Sequence, residues 1–182
     1  MKNKFISLVL ASCMVLFGSQ VFANSEAESY FGVQYASGTF SPEGADDIEP
    51  GALIIRFGEQ ISEYFLLEGR AGFGIDDDGI VISGIETVVE LDTMAGIYGV
   101  GRIDMSNVAS LYVLFGLTRG EFTVSNTGQG VSLTDDESGA SYGLGINVNV
   151  NDSIAVNLEY MSYLSKTDFD YGALGLGVSL KF

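Results

Sequence analysis

The residues able to do chemistry in this chain are few, and one type is missing altogether: there is no histidine. Gly139-Ala140-Ser141-Tyr142-Gly143 satisfies the Gly-x-Ser-x-Gly pattern of a nucleophile elbow. An elbow needs a strand-to-helix turn and a histidine base. This segment runs on as an alternating strand, so Ser141 is expected to be an ordinary strand residue and no catalytic residue is assigned. Asp76-Asp77-Asp78-Gly79 suggests a calcium loop, yet the EF-hand wants an acid or amide fifth and glycine sixth, where Ile80 and Val81 stand. No defined metal site is expected. A loose divalent contact among the surface acids stays open beside the plainer reading of a solvated loop. The Gly-x-Gly pairs at 72/74, 99/101, 143/145 and 175/177 lie within strand-like stretches rather than at strand-to-helix turns, so they are no nucleotide fingerprint. They are expected to let an interior close and neighbouring side chains pack, and no cofactor is expected.

What remains is a set of charged and amide residues, Arg56, Glu68, Arg70, Asn147, Asn149, Asn157, Glu159 and Lys181, each inside an otherwise oily stretch. The elements that must carry them are strands. Reading back from the end, Phe182, Leu180, Val178, Leu176 and Leu174 share one parity, and Lys181, Ser179, Gly177, Gly175 and Ala173 share the other. A strand has a side-chain period of two, so one face is oily and the other polar or tiny. Lipid outside and a tightly filled polar lumen inside demand that division.

Lys2 and Lys4 precede an apolar run from Phe5 to Phe17, and Val21-Phe22-Ala23 ends it with a small-x-small site, the pattern of a secretory signal peptide over 1–23. Leu10-Ala11-Ser12-Cys13 also fits a lipobox, but a cut there would leave a short apolar region and a very oily new terminus. The expected mature domain is 24–182. It loses the single cysteine, and with it any disulfide or thiolate metal site. Losing the two leader lysines from 8 basic residues leaves 6 against 24 acids, a formal charge of −18. That charge argues against nucleic acid as a partner.

Strands are expected at Tyr30–Ala36, Gly51–Gly58, Tyr64–Ile75, within Val89–Arg102, at Ser110–Val124, Ala140–Val150 and Ile154–Leu164, and to the end from Tyr171. Long acidic or polar connections (Ser41–Pro50, from Asp76, Ser125–Ser138, Ser165–Asp170) alternate with short ones, and both prolines fall in the first. The strand lengths suit the roughly 9–11 tilted residues that cross a bilayer, and no mature segment approaches the roughly 18 apolar residues of a membrane helix. The fold class expected is therefore all-β, a closed antiparallel transmembrane β-barrel of about eight strands with short periplasmic turns and long surface loops.

Parity places Phe65, Leu67, Gly69, Ala71 and Phe73 toward lipid and Glu68, Arg70, Gly72 and Gly74 inside. Leu53, Ile55 and Phe57 face out against Arg56, and Val156, Leu158 and Tyr160 against Asn157 and Glu159. Tyr142, Leu144, Ile146, Val148 and Val150 face out against Ser141, Gly143, Gly145, Asn147 and Asn149, while the fourth strand fits neither parity cleanly. The result is a lumenal polar cluster of Arg56, Glu68, Arg70, Asn147, Asn157, Glu159 and Lys181. Glu68 and Arg70 sit two apart on one face, with Arg56 in diagonal reach across the Glu59–Glu63 turn. Such a cluster is either a satisfied plug or an ion pathway, and the width of a small barrel favours the plug.

Tyr64-Phe65-Leu66-Leu67-Glu68-Gly69-Arg70, Tyr98-Gly99, Ser110-Leu111-Tyr112 and the ending Gly175-Leu176-Gly177-Val178-Ser179-Leu180-Lys181-Phe182 together resemble the bacterial porin-like outer-membrane β-barrel family of the OmpX, Ail and OmpA transmembrane-domain type. The chain departs from common practice in having no tryptophan, so interfacial belts fall to Tyr and Phe. The resemblance implies bacterial outer-membrane localisation, contact with outer-membrane lipid and lipopolysaccharide, and an assembly signal in Leu176, Val178, Leu180 and Phe182 read by the outer-membrane assembly machinery. Outer-membrane lipases, lipid A acylases and deacylases and omptin-type proteases resemble one another in needing a catalytic histidine, so an enzyme is not expected. The reading is a non-enzymatic barrel with a structural or surface-interaction role through acidic loops, especially Asp76–Asp92 and Asp135–Glu137, whose partner is a host or other cationic surface. The only base in the long connections is Lys166. A narrow channel for ions or small solutes and a secreted soluble ligand-binding barrel are the alternatives.

Overall fold

The computed structural model describes residues 28–42, 49–76, 78–82, 85–126, 131–165 and 169–182; the expected leader over 1–23, Asp77 and Lys166 lie outside the described residues. Among the described residues the regular elements are strands: β1 (Ser29–Pro42), β2 (Gly51–Ser62), β3 (Phe65–Asp76), β4 (Asp78–Ile82), β5 (Ile85–Asp104), β6 (Ala109–Asn126), β7 (Val131–Asn149), β8 (Ile154–Ser165) and β9 (Phe169–Lys181). They pair antiparallel in the order β3-β2-β1-β9-β8-β7-β6-β5-β4, and β3 also pairs with β5, which closes the sheet. β4 carries on from β3 and folds back onto the start of β5, from Asp78↔Val89 to Ile82↔Ile85. The wall is thus a closed barrel of eight strands. Closure pairs the first strand with the last, Tyr30↔Lys181 through Pro42↔Phe169, so no backbone edge is left facing hydrocarbon.

Three tight turns hold one rim. Residues 63–64 join β2 to β3; residues 105–108 join β5 to β6, where the Ser106 hydroxyl accepts hydrogen bonds from the Val108 and Ala109 amides. Residues 150–153 join β7 to β8, and there Asn151 Oδ1 accepts from the Ser153 and Ile154 amides at 2.9 and 2.8 Å, an Asx turn. Glu28 and Phe182 lie at the same rim, where Ser29 and Phe182 exchange backbone hydrogen bonds. In barrels of this kind the short turns face the periplasm.

The period of two is visible in burial. Phe31, Val33, Ile55, Phe73, Ile97, Phe115, Leu144, Leu158, Leu174 and Leu176 are exposed on the outside, while Gln34, Ile54, Arg56, Glu68, Arg70, Asn157 and Glu159 are buried within. β5 resolves its own ambiguity. A register shift between Leu91 and Thr93 puts Leu91 and Met94, of opposite parity, on the same inner face, followed by Tyr98 and Val100, with Ile97 and Ile103 outside. A bulge of one residue inverts parity, so no single alternation fits that strand.

Several expected boundaries are corrected. The long connection from Asp76 contains β4 and the start of β5, and the connection Ser125–Ser138 contains the end of β6 and the start of β7, so Asp76–Asp92 and Asp135–Glu137 are largely ladder rather than loop. Propensity misleads here because Asp, Gly and Ser are poor strand formers alone, yet a ladder already closed below extends at little further entropic cost. Pro42 is the last residue of β1 instead of a loop residue, a position where its missing amide is tolerated. Gly99 and Gly101 lie on the outer face and do not line the lumen.

Candidate functional site: a charge network across the lumen

The inward residues of β2, β3 and β8 meet at mid-barrel. Arg56 and Arg70 are register partners on β2 and β3, and Glu68 is paired with Gly58, so Glu68 stands diagonally from Arg56. Arg56 Nη2 donates to Glu68 Oε2 at 2.9 Å, Arg70 Nε donates to Glu68 Oε1 at 2.6 Å, and the Tyr30 hydroxyl also donates to Glu68. From the opposite wall Glu159 accepts a two-pronged contact from Arg70, Nη1 at 2.6 Å and Nη2 at 2.8 Å, with Tyr112 Oη at 3.0 Å and Gln34 Nε2 at 3.4 Å. Arg56 Nη2 lies 3.7 Å from Glu159. Two cations and two anions therefore balance in a site where Glu68 is 0% and Glu159 2% exposed. Balance matters, because a lone charge among hydrocarbon and protein is expensive. The guanidinium of Arg70 also lies over the Tyr98 ring at 4.9 Å.

Large inward residues stand opposite glycines. Tyr30 pairs with Gly58, Gln34 and Asn157 with Gly177, Tyr98 with Gly116, Tyr112 with Gly145 and Met161 with Gly143. A Cβ at Gly145 would overlap the Tyr112 ring, and one at Gly175 would overlap the Gln34 amide. The glycines are thus the space into which the network's side chains lie. Above the network toward the long-loop end the lumen is apolar and aromatic. Tyr171 stacks on Tyr163 at 5.9 Å and takes the edge of Phe122 at 5.5 Å, with Leu91, Met94 and Met161 buried in the same core.

Below the network lies a cavity of about 410 Å³, lined in part by Arg56, Tyr112, Arg102, Lys181, Glu28 and Asn147. At its mouth Glu28 accepts from Arg102 Nη1 at 3.2 Å and pairs with Lys181 Nζ at 3.0 Å. Burial raises the Glu28 carboxyl, but the hydrogen bonds and charges of Lys181 and Arg102 outweigh it and hold the group below its ordinary value.

Of the sequence-selected residues, Arg56, Glu68, Arg70 and Glu159 come together. Asn157 is buried beside them but its Nδ2 has no hydrogen-bond partner, while Asn147 and Lys181 line the lower cavity. Leu176, Val178, Leu180 and Phe182 all lie exposed on the outer surface. Ser141 sits in β7, its hydroxyl donating to the Tyr163 carbonyl at 2.7 Å and lying 2.6 Å from Thr118 Oγ1, with no base beside it. Gln34, Tyr30, Tyr98, Tyr112 and Tyr163 also join the network, although the sequence places none of them in the lumen: Tyr98 and Tyr112 figure in it only through the family resemblance and Tyr30 only as a strand start. For the first four the signal is the pairing of a bulky inward residue with glycine on the next strand, legible only with the register, whereas Tyr163 falls in the register shift between Ser162 and Leu164 and has no such partner. Among the described residues no group of three or more acids, cysteines or histidines is placed to hold a metal ion.

A closed barrel with an oily exterior and a filled polar interior defines an integral outer-membrane protein of bacteria. The chain belongs to the outer membrane protein beta-barrel domain family, which matches residues 9–182. No curated protein matches it. Among solved structures it is similar to Ail, the attachment invasion locus protein of Yersinia pestis, at 17% identity and TM-score 0.64, over 86% of this chain and 99% of that one. The same protein has been solved in complex with the heparin analogue sucrose octasulfate. Neisserial surface protein A follows at 16% identity and TM-score 0.63, again over 86% and 99%. The N-terminal β-barrel domain of Pseudomonas aeruginosa OprF stands at 14% and 0.55, over 83% and 97%. Identities this low carry the fold alone. The family and the lipid-facing exterior set aside the secreted soluble barrel.

Proposed function

We propose that the barrel is a non-enzymatic outer-membrane anchor that displays an acidic β-ribbon for contact with cationic partners outside the cell. The observation that carries this reading is the uneven height of the wall. β6 and β7 pair from Ala109↔Val148 up to Asn126↔Val131, whereas β7 and β8 pair only from Asn149↔Ala155 to Tyr142↔Ser162. At roughly 3.3 Å per residue, the part of β7 above Tyr142 reaches on the order of 35 Å farther along the strand. β5 pairs with β6 over the same stretch, up to Thr87↔Asn126, and the resulting ribbon of β5, β6 and β7 carries Glu90, Asp92, Glu121, Asp135, Asp136 and Glu137, while its one base among the described residues, Arg119, is paired with Asp136 at 3.0 Å. Ail is seen with a polyanion; a polyanion would meet like charge on this ribbon, so the partner chemistry favoured here is cationic, or lipopolysaccharide bridged by divalent ions. The filled lumen supports a plug over a conduit, since the ion pairs and the Tyr163–Tyr171–Phe122 layer occupy the cross-section.

Two measurements test the reading. A cysteine placed at Gly79 should label in intact cells, and a lysine-rich peptide should bind those cells in a salt-sensitive way, weakening as the Debye length falls from about 8 Å at 0.15 M toward about 3 Å at 1 M. Labelling that required opening the outer membrane, or binding indifferent to salt, would reject the surface role. Sustained conductance of the refolded protein in a planar bilayer would instead favour the channel.

A further inference from the structure

Of the six basic residues of the expected mature chain, Lys166 lies outside the described residues and the other five each face an acid. Arg56, Arg70, Arg102 and Lys181 point into the barrel, and Arg119 is on the ribbon. Arg56 and Arg70 are matched by Glu68 and Glu159. Arg102 and Lys181 are different, because they flank an open cavity of about 410 Å³ rather than a packed core. The one carboxylate that engages both comes from Glu28, just before β1, whose backbone carbonyl accepts the Gln60 amide at 3.0 Å, so that its side chain alone is free to leave the two cations. Arg102 Nε is buried yet makes no hydrogen bond; its nearest acid is the exposed rim residue Asp104, with Oδ1 at 3.5 Å. A guanidinium and an ammonium that converge on one tethered carboxylate, with a donor left over, are a carboxylate-binding arrangement that the chain itself fills.

The rest of the cavity indicates what such a carboxylate would be attached to. Ser110, Asn147, Asn149 and Ser179 present hydroxyls and amides to the same space, and Tyr112 and Arg56 close its floor. These groups are donors and acceptors for a polyhydroxylated or amide-bearing body, and Leu66, Val100 and Ala155 in the same lining leave apolar surface for its carbon skeleton. We propose that this periplasmic vestibule is a dead-end binding site for a small polar carboxylate, whose carboxyl group competes with Glu28 for Arg102 and Lys181 while its hydroxyl or amide groups meet the Ser and Asn lining. The site is separate from the acidic ribbon and stands or falls without it.

Gluconate tests this, with sorbitol as the uncharged control of the same carbon number, added to the refolded full-length protein in a maltoside micelle and followed by amide NMR shifts. Saturable shifts with gluconate and none with sorbitol are expected, confined to residues around 102, 147 and 179–181. Glu28→Gln removes the internal competitor and should tighten gluconate about tenfold. A residue that merely braced the rim would loosen the site when changed, so a gain separates the two roles. Lys181→Gln and Arg102→Gln should each weaken binding about tenfold, with heat-modifiable gel mobility showing that the barrel still folds. If Arg102→Gln does not fold, Lys181→Gln decides alone. Equal response to sorbitol, absence of saturable shifts, or weaker binding in Glu28→Gln would each overturn the proposal.

Discussion

Replacing Glu159 by alanine should be the most damaging single change in the lumen. It takes away the acceptor of both Arg70 Nη1 (2.6 Å) and Nη2 (2.8 Å), and of the Tyr112 hydroxyl at 3.0 Å. Arg70 Nη2, the Tyr112 hydroxyl and the Gln34 amide lose this acceptor and Arg70 Nη1 keeps only the Tyr163 hydroxyl at 3.3 Å, at a site with no solvent exposure of either side chain, and the balanced set of two cations and two anions becomes a net cation. Breaking a buried pair from one side costs about 3–5 kcal/mol. Screening offers little relief, because the surrounding wall faces lipid. The companion variant Arg70→Met with Glu159→Leu removes one charge of each sign and leaves Arg56 with Glu68, so it should fall within about 1–2 kcal/mol of the parent. The two singles and the double define a cycle, measured by urea unfolding in phospholipid vesicles and read by circular dichroism and gel mobility. A loss under about 1 kcal/mol for Glu159→Ala, or a double variant as unstable as the sum of its singles, would refute the view that charge balance holds the lumen together.

Gly175→Ala should destabilise the barrel by about 1–3 kcal/mol, since its Cβ meets the Gln34 amide, whereas Gly69→Ala, which meets nothing within 4 Å, should be nearly neutral in the same assay. Leu176→Arg puts a charge on the lipid face, where Leu176 is 59% exposed, and should cost about 2–4 kcal/mol near the midplane; a thiol probe at 176 should react from the lipid phase and one at 68 should not. Deleting Phe182 should lower outer-membrane yield and leave periplasmic or degraded chains, and an unchanged yield would remove it from the assembly signal. The Glu28 carboxyl is lowered in the folded state from its ordinary 4.5, so its contribution to stability is full above that pH and is lost as pH falls through the lower folded value. Unfolding measured between pH 6 and 3 should therefore show a loss on the acid side that Glu28→Gln lacks.

Alternation by itself was enough to assign the closed barrel, the oily face of β3, β7, β8 and β9, and the inward placement of Arg56, Glu68, Arg70 and Glu159. The reason is physical: a period of two beside lipid forces every charge in a strand to the same side, whatever the neighbours are. Composition misled where residues poor in strand propensity lie above the membrane. Asp135, Asp136 and Glu137 read as loop, yet they extend a ladder nucleated below them. The rest required the register. Which arginine meets which glutamate, which tyrosine lies over which glycine, and that Leu91 and Met94 share a face across the shift in β5 depend on how strands slide against one another. Residues 70 and 159 are far apart in sequence and meet only because the sheet closes through β1 and β9. The vestibule is tertiary in the same sense, for Glu28, Arg102 and Lys181 come from three separate segments that only a closed wall brings to one rim.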